Sequence, residues 1–389
     1  MTWSRTDHYQ IHRHHKRTPY AANIFPKEPF TWDCDDEAAF HYAKQMNPDG
    51  YDSSSTYWSV YTSPSNPFTP SGSGTCQLPQ ITRGGLDDSW QHGKDLYAVY
   101  HDLLGFLPDD PGTSVSYRVT NSPITSQVVG EVVNAMYKAG DFSVAIQPAS
   151  VDSLEPGYSC PSANTLRADF GVGSHNPDWT AHLTASQPLF NYLNALTGVS
   201  SSDFGFHQSW DHYFDNLSSR LCHGKPLPCS IANPSNCVNQ TIANAVLRMG
   251  EYEYNYLYRS APQSLSASTA AYGVWIAELN QNIRDQLDGK SAVMYRHNVA
   301  HDGSLSMLLS VLQVDEMVWP GMGAEVVFEV YATNGENFIR VLWGGQVLRS
   351  SNPMLGTMNM LSLNTLLSYF DDLVGVGASK VPAMCNGDG

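Results

Sequence analysis

The chain has 389 residues, 42% hydrophobic and 15% charged, with 9 Trp and 21 Tyr, a composition too apolar and aromatic for a disordered polypeptide. Its 37 acidic residues outnumber 21 Lys and Arg, for a formal net charge of −16, which disfavours nucleic acid and anionic membrane as partners over most of the surface. No run reaches the roughly 18 apolar residues of a membrane span, so an anionic ligand has to meet a local basic pocket.

The length suits one catalytic unit with an elaboration. Met1 to Gln10 lack the apolar core of a signal peptide, which predicts either a cytosolic protein or one whose signal has been removed. The first unusual stretch is Ile11-His12-Arg13-His14-His15-Lys16-Arg17-Thr18-Pro19, where three histidines and three cations crowd together. Three readings compete. The first is a solvated basic edge. The second is a metal site built from His8, His12, His14 and His15, but consecutive histidines on an extended strand point to opposite faces. The third is phosphate capture, because guanidinium forks hold phosphate oxygens in a bidentate way and a histidine inside the fork can attack phosphorus.

From Ser53 to Cys76 the chain is rich in Ser, Thr, Pro, Gly and Tyr and reads as a long loop that Cys76 could pin. Leu86, Trp90, Gly93, Tyr97, Tyr100 and Leu104 then recur at helical spacing, Val115 to Thr120 reads as a strand, and Ile124, Val128, Val132 and Met136 line one face of a second helix. From about Gly140 to Gly289, polar and Cys-bearing loops alternate with helical patterns such as Leu183 to Leu196 and Ser264 to Leu287. Ala292 to Arg296, Glu325 to Tyr331 and Phe338 to Leu342 read as strands. His301-Asp302 follows the first of these and precedes a helix carrying Leu305, Leu308, Leu309 and Leu312. A strand, loop and helix start is a common ligand site in α/β proteins; Asp302 is either the proton donor that an attack on phosphorus requires or only a helix cap.

These elements predict an α/β fold, a mixed central sheet flanked by helices with an inserted mainly helical lobe. Residues 1–139 and 290–389 form the core in this reading, 140–289 form the lobe, and the site lies in the cleft. Seven cysteines stand at 34, 76, 160, 222, 229, 237 and 385, without zinc-site spacing, so disulfides of open connectivity with one thiol left over are expected. Asn216-Leu217-Ser218 and Asn239-Gln240-Thr241 are glycosylation sequons, and with the cysteines they point to a secreted protein. There is no Gly-x-Ser-x-Gly elbow and no His-Glu-x-x-His, and Gly289-Lys290-Ser291 lacks the earlier Gly of a phosphate-binding loop.

Arg13-His14-His15-Lys16-Arg17-Thr18-Pro19 resembles the Arg-His-Gly-x-Arg-x-Pro signature of the histidine acid phosphatases, and His301-Asp302 resembles their distal His-Asp pair. Gln80-Ile81-Thr82-Arg83-Gly84-Gly85, Tyr117-Arg118-Val119-Thr120 and Trp319-Pro320-Gly321-Met322-Gly323-Ala324 are similar to further segments of that family, in the family's order. The variant Arg-His-His-Lys-Arg-Thr-Pro-Tyr is closest to fungal secreted members.

The resemblance implies an acid phosphatase acting through a phosphohistidine at His14. Arg13, Arg17, Arg118 and His301 would surround the phosphate, and Asp302 would protonate the leaving oxygen. The partner is then a small phosphate ester, with no metal and no cofactor required. Lys16 and His15 are placed at the edge of the substrate pocket, and Arg83 and His297 are weaker candidates. A phytase-like enzyme would want more cations than can be placed, and a third possibility is a relative that binds anions without turnover or does other chemistry. Two departures stand out: His15 replaces the usual Gly, and Ile124 replaces an Arg that many relatives carry after the Arg-Ser-Thr segment.

Overall fold

The computed structural model describes residues 4–27, 30–34, 40–43, 56–61, 63–70, 72–137, 140 and 142–387. The expected loop from Ser53 to Cys76 therefore lies partly outside the described residues; the described part holds one short strand and several turns.

Among the described residues ten strands form: β1 Ser4–Arg13, β2 Phe40–Ala43, β3 Thr56–Trp58, β4 Val115–Val119, β5 Val144–Ala145, β6 Tyr295–Ala300, β7 Glu325–Thr333, β8 Glu336–Trp343, β9 Gln346–Val347 and β10 Leu361–Ser362. Eight of them make one mixed sheet in the order β10-β8-β7-β1-β6-β4-β5, with β9 on β8. β1, β6, β4 and β5 run parallel, while β7, β8 and β10 pair antiparallel. The fold is α/β, with a mixed central sheet flanked by helices.

Helices α1 Arg83–Tyr97 and α2 Pro123–Met136 pack on one face of the sheet. Ile124, Val128, Val132 and Met136 are all buried there, the face that their spacing predicts. The following helices are α3 Pro161–Phe170, α4 Pro177–Ala185, α5 Gln187–Thr197, α6 Phe204–His207, α7 Asp211–Cys222, α8 Gln240–Asn255 and α9 Ser264–Leu287. α9 has the bounds the sequence suggests and packs on the other face with α10 Asp302–Val311 and α11 Leu363–Val374; α12 Val381–Asn386 closes the chain. The single helix expected from Leu183 to Leu196 is two, interrupted at Ser186.

β6, in the parallel set, corrects the sequence reading. It runs from Tyr295 to Ala300, not from Ala292 to Arg296, which brings its end directly against His301. β1 was hidden by its polarity: Asp7, His8, Gln10 and His12 are all buried because the strand lies centrally between β6 and β7.

Disulfides join Cys34 to Cys76, Cys160 to Cys385 and Cys229 to Cys237, leaving Cys222 as the free thiol. Of the two sequons, Asn216 is fully buried and bonded to the Asn23 carbonyl and to Arg220, so it has no room for a glycan. Asn239 is exposed and caps α8. No helix among the described residues is long and apolar enough to cross a membrane.

Candidate active site

β1 and β6 end side by side, and the candidate residues sit just beyond their carboxyl ends. Arg13 pairs with Ala300 in the sheet, and the next residue keeps this pairing, its N–H donating to the Ala300 carbonyl at 3.0 Å while its own carbonyl accepts from Gly323 at 3.0 Å. His14 is thus clamped between two neighbours at the strand end. From the other side α1 approaches so closely that a Cβ on Gly85 would stand 2.0 Å from the Lys16 carbonyl, which restricts that position to Gly.

The His14 ring is 1% exposed and its Nδ1–H donates to the His15 carbonyl at 3.0 Å. That bond leaves Nε2 with a free lone pair. Burial first, and then Arg17, Arg13 and His301, hold the imidazole well below its ordinary pKa and therefore neutral. Arg17 Nε faces Nε2 at 3.5 Å. Arg17 is itself buried, bound to Asp215 at 2.9 Å and stacked on Tyr20 at 4.2 Å. Asp215 also accepts from the Tyr20 N–H at 3.0 Å and from Asn23 at 2.7 Å, so three donors fix the carboxylate that fixes the arginine.

On the opposite flank, Arg13 meets Asp302 at 2.9 Å and donates to the Pro320 carbonyl at 2.7 Å. Asp302 opens α10 and accepts from Trp319 Nε1 at 2.8 Å. Burial pushes its carboxyl pKa up, but Arg13, the Trp319 N–H, Arg17 and His301 together outweigh that and hold it below the ordinary value. Trp319 is held in turn by stacking between Phe214 and Tyr254, with centroids 3.9 and 3.8 Å away. His301 lies 5.4 Å from His14, ring to ring, and its Nε2 meets Thr120 Oγ1 at 2.9 Å and Glu155 at 3.4 Å.

His14, Arg13, Arg17, His301 and Asp302 therefore converge. Arg118 does not join them. It is spent on Glu278 at 2.7 Å, Gln147 at 2.6 Å, Asp152 at 3.0 Å and Ser153 at 2.9 Å, because its place on β4 is opposite Asn298, short of the strand end. It anchors the 147–155 segment that carries Glu155 to His301. Ile124 packs in the core between the sheet and α2, so neither position adds a cation beside His14. Lys16 reaches outward to Asp88 at 2.8 Å. His15 turns away from His14, to His92 at 3.1 Å, over a Gly323 where a Cβ would meet its ring at 2.7 Å and φ is +77°. Arg83 is exposed and pairs with Asp87. His297 meets the Tyr295 hydroxyl at 2.9 Å rather than a carbonyl. Glu329 is an internal counter-ion, buried against Arg5 and Tyr100.

Asp215, Glu155, Thr120 and the indole of Trp319 were not foreseen as partners of the site. Only Asp215 left a trace, one turn after Asp211 on a helix whose burial makes a carboxylate costly without a counter-ion. Asp211, beside it, has a carboxyl raised to about 7, by burial first and then by the charges of Asp215 and Asp302. A separate concavity of about 780 Å³, lined by His182, Met249, Tyr252 and Tyr256 among others, has none of these residues in its walls.

No family model matches this chain, and no curated protein matches it. Solved structures do. A Klebsiella phytase superposes with a TM-score of 0.61 at 14% identity, covering 98% of this chain and 99% of that one. The phytase of Citrobacter braakii gives 0.61 at 12% identity, covering 95% and 98%. A Bifidobacterium longum multiple inositol polyphosphate phosphatase, solved with inositol hexasulfate, gives 0.52 at 10% identity, covering 90% and 88%. The chain shares the fold of these phosphatases over nearly its whole length.

Proposed function

We propose that this protein hydrolyses phosphomonoesters as a histidine acid phosphatase, through a phosphohistidine at His14 and without a catalytic metal. One observation carries the reading: the only unprotonated nitrogen of His14 faces Arg17, with Arg13, His301 and Asp302 around it. Nε2 attacks phosphorus, the bond from phosphorus to the leaving oxygen breaks, and Asp302 gives that oxygen a proton. Water then attacks the phosphoryl group, returns a proton to Asp302 and frees phosphate and His14. Arg13, Arg17 and the N-terminal end of α10 stabilise the charge on the phosphoryl oxygens.

In this reading residues 1–139 and 290–389 act as the catalytic core and supply His14 and Asp302, while the mainly helical 140–289 lobe supplies Asp215 and Glu155 at the rim. The substrate is a small ester. Lys16, Arg17 and Arg13 are each matched by an acid, Asp88, Asp215 and Asp302, which leaves little surplus charge for a polyphosphorylated ring, although the phytase neighbours make inositol hexakisphosphate the natural second substrate to assay. Three disulfides support a secreted protein, with Asn239 as the acceptor for any glycan.

A second reading, anion binding without turnover, is favoured by the same scarcity of cations, since Arg118 is engaged elsewhere and Ile124 is apolar. The test is phosphate release from p-nitrophenyl phosphate and inositol hexakisphosphate beside vanadate binding. Release supports the phosphatase; vanadate binding with no release selects the second reading.

A further inference from the structure

A second group of histidines lies behind the nucleophile, and the phosphoryl chemistry uses none of their rings. His12 is the last residue but one of β1, His15 lies in the loop beyond it and His92 comes from α1. One ring nitrogen from each lies within 4.8 Å of the others. The alternation of strand side chains argues against a shared site for neighbouring histidines, but β1 ends at Arg13, and the chain beyond it is free of that rule. The ring of His15 returns to the side of His12, 5.6 Å from it, while the His14 ring faces His301.

The tautomers leave two lone pairs at this spot, on His12 and His92, with His15 Nε2–H donating to the second. His12 Nδ1–H donates to the Arg13 carbonyl at 2.9 Å, so Nε2 carries the lone pair, and that atom is buried without a partner. A buried polar atom left unpaired is costly. His92 Nε2–H donates to Glu325 at 3.1 Å, and the same oxygen accepts from Gln10 at 2.6 Å. His92 Nδ1 is therefore the bare nitrogen, 3.1 Å from His15 Nε2. A carboxylate behind the imidazole is the usual support of a metal-ligating histidine.

We propose that His12 Nε2, His15 Nε2 and His92 Nδ1 bind one divalent transition ion of the zinc class, with a fourth position open to water. An all-imidazole set suits Zn²⁺ or Co²⁺ rather than Mg²⁺ or Ca²⁺. Tetrahedral Zn²⁺ about 2.1 Å from each nitrogen needs nitrogens roughly 3.4 Å apart, which modest ring rotations achieve. On binding, His15 moves its proton from Nε2 to Nδ1, so no proton is released. His92 is 14% exposed, which gives the ion an entry. The ion joins β1, the loop and α1, and it fixes residue 15, whose carbonyl holds the Nδ1–H of His14. Binding stands apart from the phosphatase reading; only this positioning of His14 rests on it.

The test needs no substrate. The full chain, freed of metal by chelation, is titrated with Co²⁺ and followed by its visible ligand-field bands, with Zn²⁺ added to displace it. One tetrahedral Co²⁺ per chain is expected in the native protein and in His101→Ala, a control at a half-buried histidine with acidic neighbours. No such band is expected in His92→Ala or His15→Gly, and Glu325→Gln should weaken Zn²⁺ binding by about 10- to 100-fold. Zn²⁺ should also raise the melting temperature of the native protein and not of His92→Ala, which keeps the test decisive if His15→Gly folds poorly. Folded native protein without the band, or equal binding by the native chain and His92→Ala, overturns the proposal.

Discussion

Arg17 Nε points at His14 Nε2 from 3.5 Å, so the guanidinium that Asp215 pins stands against the one imidazole nitrogen that carries a lone pair. A phosphoryl oxygen arriving at His14 meets a donor already aimed at it, and the aim depends on Asp215. Asp215→Asn keeps the shape but removes the charge. The expected result is a KM for p-nitrophenyl phosphate raised about tenfold or more. A stability loss of about 3–5 kcal/mol should accompany it, since one partner of a buried pair is left uncompensated. Unchanged KM and melting temperature would contradict this role.

Trp319 sets the proposed proton donor, Asp302. Its N–H stabilises ionised Asp302, so removing it should raise the pKa of that carboxyl and keep it protonated to higher pH. Trp319→Phe retains the stacking on Phe214 and Tyr254 and should move the alkaline limb of the kcat profile up by about one pH unit, the effect of losing one charge-assisted hydrogen bond. A limb that stays in place, or moves down, excludes Asp302 as the group titrating there.

Arg118→Leu separates a pocket ligand from a scaffold residue. It leaves Asp152 buried without its partner, which should cost about 3 kcal/mol in unfolding free energy. Vanadate affinity should remain at the native level, because Arg118 spends its donors on the 147–155 segment. A large loss of vanadate binding in folded protein would return Arg118 to the pocket.

Stability should depend on pH through two opposed sets of buried groups. His8, lowered from 6.5 to about 3 by burial first and by Arg5, binds fewer protons folded than unfolded, so its contribution is lost as pH falls below about 6.5. Burial likewise holds His12, His14, His15 and His297 low. Asp7, raised from 3.8 to about 7 by burial first, binds more protons folded, so its contribution is present at low pH and lost as pH rises towards about 7. Asp211, raised to about 7 by burial first, acts in the same direction; five histidines outweigh these two aspartates, and the melting temperature should fall on acidification below about pH 6.5. Asp7→Asn removes one of the two opposing contributions and should steepen that fall; a shallower fall would contradict the assignment.

Much of this was legible in the residues. Apolar periodicity marked α2 and α9, because those helices bury one broad face, and the cluster of cations around His14 pointed to the residues that converge at the end of β1. β1 was not legible as a central strand, since its buried positions are polar and are satisfied by partners remote in sequence, such as Gln10 with Glu325. The pairing of Arg17 with Asp215 lies in the same class: nothing local at position 17 names a carboxylate on α7. Arg118 misled for a geometric reason. Its motif matched, but its register opposite Asn298 stops it short of the sheet edge, and register is a property of the folded sheet. Strand alternation likewise argued against His12 and His15 facing one another until the end of β1 at Arg13 was visible.

The central claim is that His14 carries the phosphoryl group, and its most direct test is phosphate release from p-nitrophenyl phosphate between about pH 3 and 8, a range bracketing ordinary Asp and His pKa values, with chelator present. Native protein should turn over at acid pH, and rapid acid quench of the labelled reaction should trap phosphate on the native chain but not on His14→Ala, which should be inactive. Turnover surviving in His14→Ala, or well-folded native protein that releases no phosphate, would contradict the account.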